Sequence, residues 1–295
     1  MNTIPASARP QITQSMICAD VHNHTIASHG LATVGEMFAA AKARNLQWYG
    51  FSEHSPLPPG YSCPLYKGDL AVTFPAYAAE VMALREQTAC LPGTQSASPR
   101  VLMGMELDWL PVNMPWMHDA IGHYPFDYII GGLHFVGDVP VGSPRCWGPE
   151  VERAERFARY DAYYEIMRGL AASGMVDVVA HPDFIKVCCY DDFQAWLALP
   201  GSTDRIAAVL EAMRATDTAM EISSAGLRKP FHEPYPGPAI MRLAADLGLT
   251  ISFGSDAHNT QDTGSHFSEL AAYAAAYGFS RSRICVGRER LELDF

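Results

Sequence analysis

The chain has 295 residues, 48% of them hydrophobic and 18% charged, with a formal net charge of −11 at pH 7. That is enough apolar material for a large core, which excludes a disordered chain. The acidic balance argues against a nucleic-acid groove or an anionic membrane surface, both of which need basic clusters. It leaves room for a phosphorylated substrate, because bound divalent cations make a pocket locally positive. The seven cysteines are odd in number and form no C-x-x-C pair, so a complete disulfide framework is not expected. Residues 1–15 lack the apolar core of a signal peptide, and no stretch approaches the ~18 consecutive apolar residues of a membrane span. The expectation is a flexible segment over 1–15, one domain over 16–295, and the cytoplasm as compartment.

In chain order, an apolar run at 16–19 ends at Asp20 and is followed by His22-Asn23-His24. Extended backbone places alternate side chains on one side, so these two imidazoles converge. His29 precedes Gly30, a turn residue that can fold a third imidazole back toward them. A metal cluster and a polar strand end with solvated histidines both account for this stretch alone. Thr33 and Glu36 have capping-box spacing, and Val34, Met37, Phe38 and Ala41 recur at helical spacing, predicting a helix to about Arg44. A strand is expected over 47–52, leading to Glu53, His54 and a Pro/Gly-rich loop. Phe74, Tyr77, Ala78 and Val81 predict a second helix, 91–99 a connection, and 100–105 a strand running into Glu106 and Asp108. The next strand, 127–131, leads to His134.

Residues 136–149 are rich in Gly and Pro without a clear period and read as a lid or insertion before a charged helix over 150–172. The apolar run 175–180 stops at His181. A helix over 205–216 precedes a strand over 219–223, which opens into a loop carrying Arg228 and Lys229. Ile240, Leu243, Ala244 and Leu247 predict a helix closed by Gly248. A strand over 249–253 ends near Asp256 and His258, and a helix over 267–277 and a short strand over 283–286 complete the chain.

Seven apolar runs alternating with helices argue for parallel βα units, closed into a barrel or laid out as an open sheet. Six of the runs end in His, Glu or Asp. In a parallel barrel all strand C-termini meet at one mouth, whereas an open sheet spreads them along a crevice, so convergence favours the barrel. The candidates at that mouth are His22, His24, His29, His54, Glu106, His134, His181, Asp256 and His258, seven of the eleven histidines among them. Imidazoles with carboxylates suit Zn, Fe or Mn, and a carboxylate such as Glu106 can bridge two ions. Nine ligands exceed what one ion takes, so two or three divalent transition-metal ions are implied. Asp20, Glu53, Asp108 and Asp183 stand beside these residues, either orienting imidazoles from behind or lying solvated in loops. Arg228 and Lys229 occupy the one strand end without a ligand, where a guanidinium can grip phosphate with two hydrogen bonds.

The strings Asp20-Val21-His22-Asn23-His24, Phe51-Ser52-Glu53-His54-Ser55, Gly104-Met105-Glu106-Leu107-Asp108, Gly132-Leu133-His134-Phe135, Ala180-His181-Pro182-Asp183 and Gly254-Ser255-Asp256-Ala257-His258 resemble, in order and spacing, the motifs of the polymerase and histidinol phosphatase (PHP) superfamily. The resemblance runs from residue 17 to about 270, and the segments 28–30, 52–56 and 222–230 resemble the histidinol-phosphate phosphatase branch. It implies an α/β fold, a distorted seven-stranded (βα) barrel with a trinuclear metal site at the C-terminal mouth of the strands. It further implies one ion held by His22, His24, Glu106 and Asp256, a second by Glu106, His134 and His181, and a third by His29, His54 and His258. Glu106, Asp256, His258 and Arg228 are then the candidate catalytic residues, and Arg228, Lys229, Glu53 and Glu233 the candidate substrate contacts. The segment 142–148 departs from the pattern.

The activity so implied is that of a metal-dependent phosphomonoesterase of histidine biosynthesis, taking L-histidinol phosphate, a small-molecule ester, with neither nucleic acid nor membrane as partner. Alternatives are a related phosphoesterase for another small phosphate ester or nucleotide, and a metal-dependent amidohydrolase. The latter also uses His-x-His on a first strand but needs a mid-barrel lysine, for which Lys186 is the only neighbour in sequence. Oligomeric state is not legible.

Overall fold

The computed structural model describes residues 16–89 and 98–295. Seven strands form one parallel sheet: β1 (Ala19–Asp20), β2 (Trp48–Phe51), β3 (Arg100–Asp108), β4 (Tyr128–Gly132), β7 (Val178–Val179), β8 (Ala219–Ser223) and β9 (Ile251–Gly254), each paired with the next. The sheet closes on itself beyond the ladder. The His24 N–H donates to the Ala257 carbonyl at 2.8 Å, and Asn23 bridges Ala257 in parallel. The result is the nearly closed, distorted barrel anticipated from the strand ends. Helices wrap it: α1 (Val34–Ala43), α2 (Leu70–Ala89), α3 (Met114–Gly122), α5 (Arg153–Ala172), α6 (Tyr190–Leu197), α7 (Ser202–Thr216), α8 (Pro238–Asp246) and α9 (Phe267–Ala276). At the start of α1 the capping box forms as its spacing predicts, with Thr33 and Glu36 exchanging hydrogen bonds.

The strands are covered on both faces, so β3 is buried at every residue except Arg100. Period two still sorts its side chains. Leu102 points into the bore with Tyr128, Ile130, Val178 and Ala219, while Val101, Met103 and Met105 meet the helices. Glu106 continues the inward parity. Tyr128 crosses the bore and donates to the Val21 carbonyl at 2.6 Å. Gly50 and Gly104 make room for it, since a Cβ on either would lie 2.0 Å or 2.3 Å from the Tyr128 side chain.

Below Tyr128 the barrel is plugged by an antiparallel hairpin, β10 (Arg281–Val286) with β11 (Glu289–Asp294). Ile284 and Cys285 complete the bore core. The hairpin turn is tied to the lower strand ends: the Gly287 N–H donates to Asp127 Oδ1 at 2.7 Å, and Arg288 pairs with Asp177 at 2.7 Å.

The segment 136–149, read as periodless, is a two-residue hairpin, β5 (Phe135–Val136) with β6 (Val139–Pro140), followed by a single helical turn, α4 (Pro144–Trp147). Trp147 is fully buried, stacks near Tyr160 and donates to the Pro140 carbonyl at 2.9 Å. Most of the connection expected over 91–99 lies outside the described residues.

Candidate metal centre

All nine side chains singled out at the strand ends meet in one place, at the upper mouth. Glu106 is its centre and is 1% exposed. One oxygen, Oε2, lies 3.2 Å from His22 Nε2, 3.3 Å from His24 Nε2 and 3.1 Å from His54 Nδ1. The other, Oε1, lies 3.1 Å from His181 Nε2 and 3.3 Å from His134 Nε2. Asp256 Oδ1 approaches His24 Nε2 at 3.4 Å. On the far side His29 Nε2 sits 3.0 Å from His54 Nε2 and 3.3 Å from His258 Nε2.

Backbone geometry contributes. Asp256, just past β9, has φ of 49°, a left-handed conformation that costs a non-glycine residue ~1–3 kcal/mol and concentrates at functional sites.

The donor set fits divalent cations. His22 Nε2, His24 Nε2 and His54 Nδ1 are buried and make no hydrogen bond, although each stands close to Glu106 Oε2. Among His22, His24, Glu106 and Asp256, three of the donor separations are 3.2–3.4 Å, close to the ~3.3 Å edge of a tetrahedron whose ligands lie ~2.0–2.1 Å from a cation, and His22 Nε2 to Asp256 Oδ1 is wider at 3.9 Å. Behind the rings, His22 Nδ1 faces Glu221 at 2.6 Å, His24 Nδ1 faces Glu53 at 3.2 Å and His134 Nδ1 faces Asp108 at 2.7 Å. A carboxylate there holds the ring proton on Nδ1 and turns the Nε2 lone pair inward.

Burial and the neighbouring His258 and His24 push His29 down to about 3, and burial and His24 push His258 down to about 4, so both rings are neutral near pH 7. Burial opposes a charge on His22, His24 and His134 as well, but the carboxylates beside them hold these three well above the usual imidazole range, with protons that a bound cation would displace. Burial opposes a charge on Glu106, but His22, His134 and His54 outweigh it and hold the carboxyl well below its usual range.

Above the cluster opens a cavity of about 850 Å³, lined on one side by Phe135, Pro140, Pro144 and Phe184 and on the other by Arg228, Lys229 and Asp262. The sequence profile of the PHP domain matches residues 20–225. The chain belongs to the PHP family. Over 251 residues it is 30% identical to a Deinococcus radiodurans protein named "Probable histidinol-phosphatase", spanning 85% of this chain and 90% of that one. A Schizosaccharomyces pombe protein of the same name is 22% identical over 279 residues, 90% of this chain and 87% of that one. The PHP barrel also superposes on the structure of histidinol phosphate phosphatase from Lactococcus lactis, complexed with zinc, L-histidinol and phosphate. The TM-score is 0.69 at 16% identity, over 92% of this chain and 98% of that one, a likeness of fold.

Two expected substrate contacts in this PHP barrel are misplaced. Glu53 is fully buried behind His24, where it accepts from the Thr25 N–H at 2.9 Å and from Ser28 Oγ, so it faces the rings rather than the cavity. Glu233 turns away to Lys186 Nζ at 2.8 Å and Tyr190 Oη at 3.0 Å and lines a separate cavity of about 250 Å³. Lys186 is itself fully buried, with Asp183 at 2.8 Å and the Pro234 carbonyl at 2.9 Å as its other partners, and it does not line the cavity above the cluster. Asp20 orients no imidazole; it accepts from Ser255 N and Gly264 N, both at 2.9 Å, and so ties the loop after β9 to β1.

Arg228 does line the cavity. Its Nη2 donates to the Ser255 and Asp256 carbonyls at 2.8 and 3.0 Å, whereas Nη1 has only the Ser224 and Ser265 hydroxyls, both at 3.3 Å.

Three contributors escaped the sequence reading. Tyr66 and Cys63, from the Pro/Gly-rich loop after β2, line the cavity, and Tyr66 stacks on His29 with centroids 5.7 Å apart. No pattern in that loop marks them. Glu221 did leave a signal: it is a glutamate in the middle of an otherwise apolar strand, on the inward parity of Ala219.

Proposed function

We propose that this chain is a metal-dependent phosphomonoesterase that hydrolyses L-histidinol phosphate to L-histidinol and phosphate. The observation that carries the reading is the convergence of seven imidazoles with Glu106 and Asp256 beneath a cavity that also holds the Arg228 and Lys229 cations. His22, His24, Glu106 and Asp256 hold one ion; Glu106, His134 and His181 a second; and His29, His54 and His258 a third, with Zn, Fe or Mn as the metals such donors take. When bound, such ions acidify water and act as Lewis acids toward phosphoryl and leaving oxygens.

The chain's own residues supply the rest. Arg228 Nη1, weakly held by two hydroxyls, turns to a phosphoryl oxygen while Nη2 keeps the loop of Asp256 in place. Lys229 adds a second positive charge on the same wall. Phe135, Pro140, Pro144 and Phe184 form an apolar wall for a flat leaving group, to which the 136–149 segment contributes Pro140, Gly142, Ser143 and Pro144. With Glu53 and Glu233 elsewhere, the carboxylates left at the cavity for the amino group and imidazole N–H of the alcohol are Asp108 and Asp262, the latter already 3.3 Å from Arg228 Nε and accepting from Asn259. Asp108 Oδ2 is buried, borders the cavity and has no hydrogen-bond partner. The names of the curated relatives support this choice of alcohol.

The test is turnover of histidinol phosphate against p-nitrophenyl phosphate and sugar phosphates, with Mn or Zn supplied. Histidinol phosphate is expected to lead by at least ~100-fold in kcat/KM, about 2.7 kcal/mol of transition-state binding. Equal rates would leave a promiscuous phosphatase, and preference for a diester or nucleotide would refute the assignment. An amidohydrolase reading would rest on Lys186 in the segment after β7, and that lysine is enclosed by Asp183, Glu233 and Pro234.

A further inference from the structure

We propose that Glu221 is a positioning residue that serves two metal subsites at once, setting the ring tautomer of His22 with one carboxylate oxygen and anchoring the backbone of His181 with the other. The proposal rests on the metal-site reading above and on no choice of substrate. Glu221 stands on β8, faces the bore and is 1% exposed. Oε1 lies 2.6 Å from His22 Nδ1, and Oε2 accepts from the His181 N–H at 2.8 Å. An ionised carboxylate only accepts, so a His22 ring that gives its Nε2 lone pair to a cation keeps its proton on Nδ1; Nε2 is the buried atom without a hydrogen bond beside Glu106.

The neighbouring strand is shaped to permit this. A Cβ on Gly254 of β9 would lie 2.2 Å from Glu221 Oε1 and 2.6 Å from His22 Cβ, so a glycine there leaves the carboxylate its room. On the other side, His181 has φ of 22°, and the Glu221 hydrogen bond holds its amide in that turn. One side chain thus reaches a ring assigned to the first ion and the backbone of a residue assigned to the second.

Glutamine separates the roles of shape and chemistry. With its amide NH2 toward His22 it donates to Nδ1, and the ring proton moves to Nε2, where it blocks the lone pair. Turned the other way, its NH2 faces the His181 N–H, donor against donor. The first orientation reverses the His22 hydrogen bond and the second forfeits the His181 one, while the volume stays the same.

The experiment is titration of chelator-stripped, full-length wild type and E221Q with Co(II), read by visible absorption and by competition with a chromogenic chelator. Affinity at the subsite whose contact the glutamine spoils, the first when its NH2 faces His22 and the second when it faces His181, is expected to fall ~10–100-fold, the range for removing the group behind a metal-bound imidazole, with weakening of its absorption band. The subsite of His29, His54 and His258 keeps its affinity. In a His22→Ala background the E221Q change costs the first subsite nothing further, because Glu221 acts there through the ring. Unchanged affinity and spectrum in folded E221Q, or an equal loss at every subsite, would overturn the proposal. Should E221Q fail to fold, Glu221→Asp, which keeps both acceptors on a shorter stem, is titrated with the same two outcomes. Because no phosphate ester is involved, failure of the proposed substrate and failure of this role are told apart: wild type that binds Co(II) as expected but leaves histidinol phosphate intact sinks only the former.

Discussion

Glu106 touches five imidazoles with two oxygens, so no other single atom pair in the site carries as many contacts. Glu106→Gln removes the charge but leaves the shape. Metal content measured by elemental analysis should fall and kcat/KM should drop by more than ~100-fold, beyond the range for losing a merely supporting contact. Arg228 is a different case. Arg228→Ala should cost about 2–5 kcal/mol in kcat/KM if Nη1 grips phosphate, with metal content retained. Loss of metal along with activity would instead assign the guanidinium to the Ser255 and Asp256 carbonyls it already holds. Most of the candidate ligands were legible because they stand at or just past the end of an apolar run, a pattern that period two and strand polarity convert directly into position, and His29 through the turn at Gly30. Glu53 and Glu233 were misread because a strand end says which mouth a residue is near and nothing about which way its side chain turns. Glu53 points back to His24, and Glu233 to Lys186.

At the level of elements, α5 and α6 are joined by Asp192, which pairs with Arg156 and lies 3.0 Å from Arg153 Nε. The Arg156 hydrogen bond, with the charges of Arg156 and Arg153, holds the Asp192 carboxyl below its ordinary value. A depressed folded pKa contributes stability that is present above the unfolded value of ~3.9 and is lost as pH falls through the folded one. Urea unfolding should therefore find Asp192→Asn about 1 kcal/mol less stable than wild type at pH 7, with solvent screening limiting the gain, and the difference should shrink as pH falls below the unfolded value of ~3.9. Helix α6 was itself missed in the sequence. Its eight residues, like the nine of α3, are fewer than the ~11–18 over which a helical period can be counted. The β5–β6 hairpin, with two residues per strand, is shorter still. The run at 175–180 erred the other way, since an apolar stretch records burial, and only Val178–Val179 of it make ladder contacts. The periodic helix α1 and the strand β8 were legible almost to the residue, and α7 to its C-terminus but three residues late at its start.

For the whole molecule, closure was inferable from polar residues gathering at one mouth, but the contacts that accomplish it, Asn23 and His24 against Ala257, are backbone bonds outside any ladder and leave no sequence pattern. The lower plug was only half visible, because β11 is mostly exposed and charged and shows no core face. Its partner strand matters more: Ile284 is 3% exposed against the bore core, so Ile284→Ala should cost ~2–5 kcal/mol in denaturant unfolding. Metal bound per folded chain should be unchanged, as the mouth is at the opposite end. Between plug and mouth lies Tyr128, wedged against Gly50 and Gly104 and bonded to Val21, the residue before the first ligand. This gives the ring of strand ends a fixed base made of hydrocarbon and one hydroxyl, so the work of assembling the donors belongs to folding and precedes any cation. Small zinc domains are the opposite, unfolded until loaded. Here the stripped protein should keep its far-UV spectrum and its cooperative thermal transition, and accept Mn, Fe or Zn afterwards without refolding. The barrel then behaves as a finished vessel whose contents are exchangeable, so that among cations fitting its nitrogen and oxygen donors supply has a say alongside geometry.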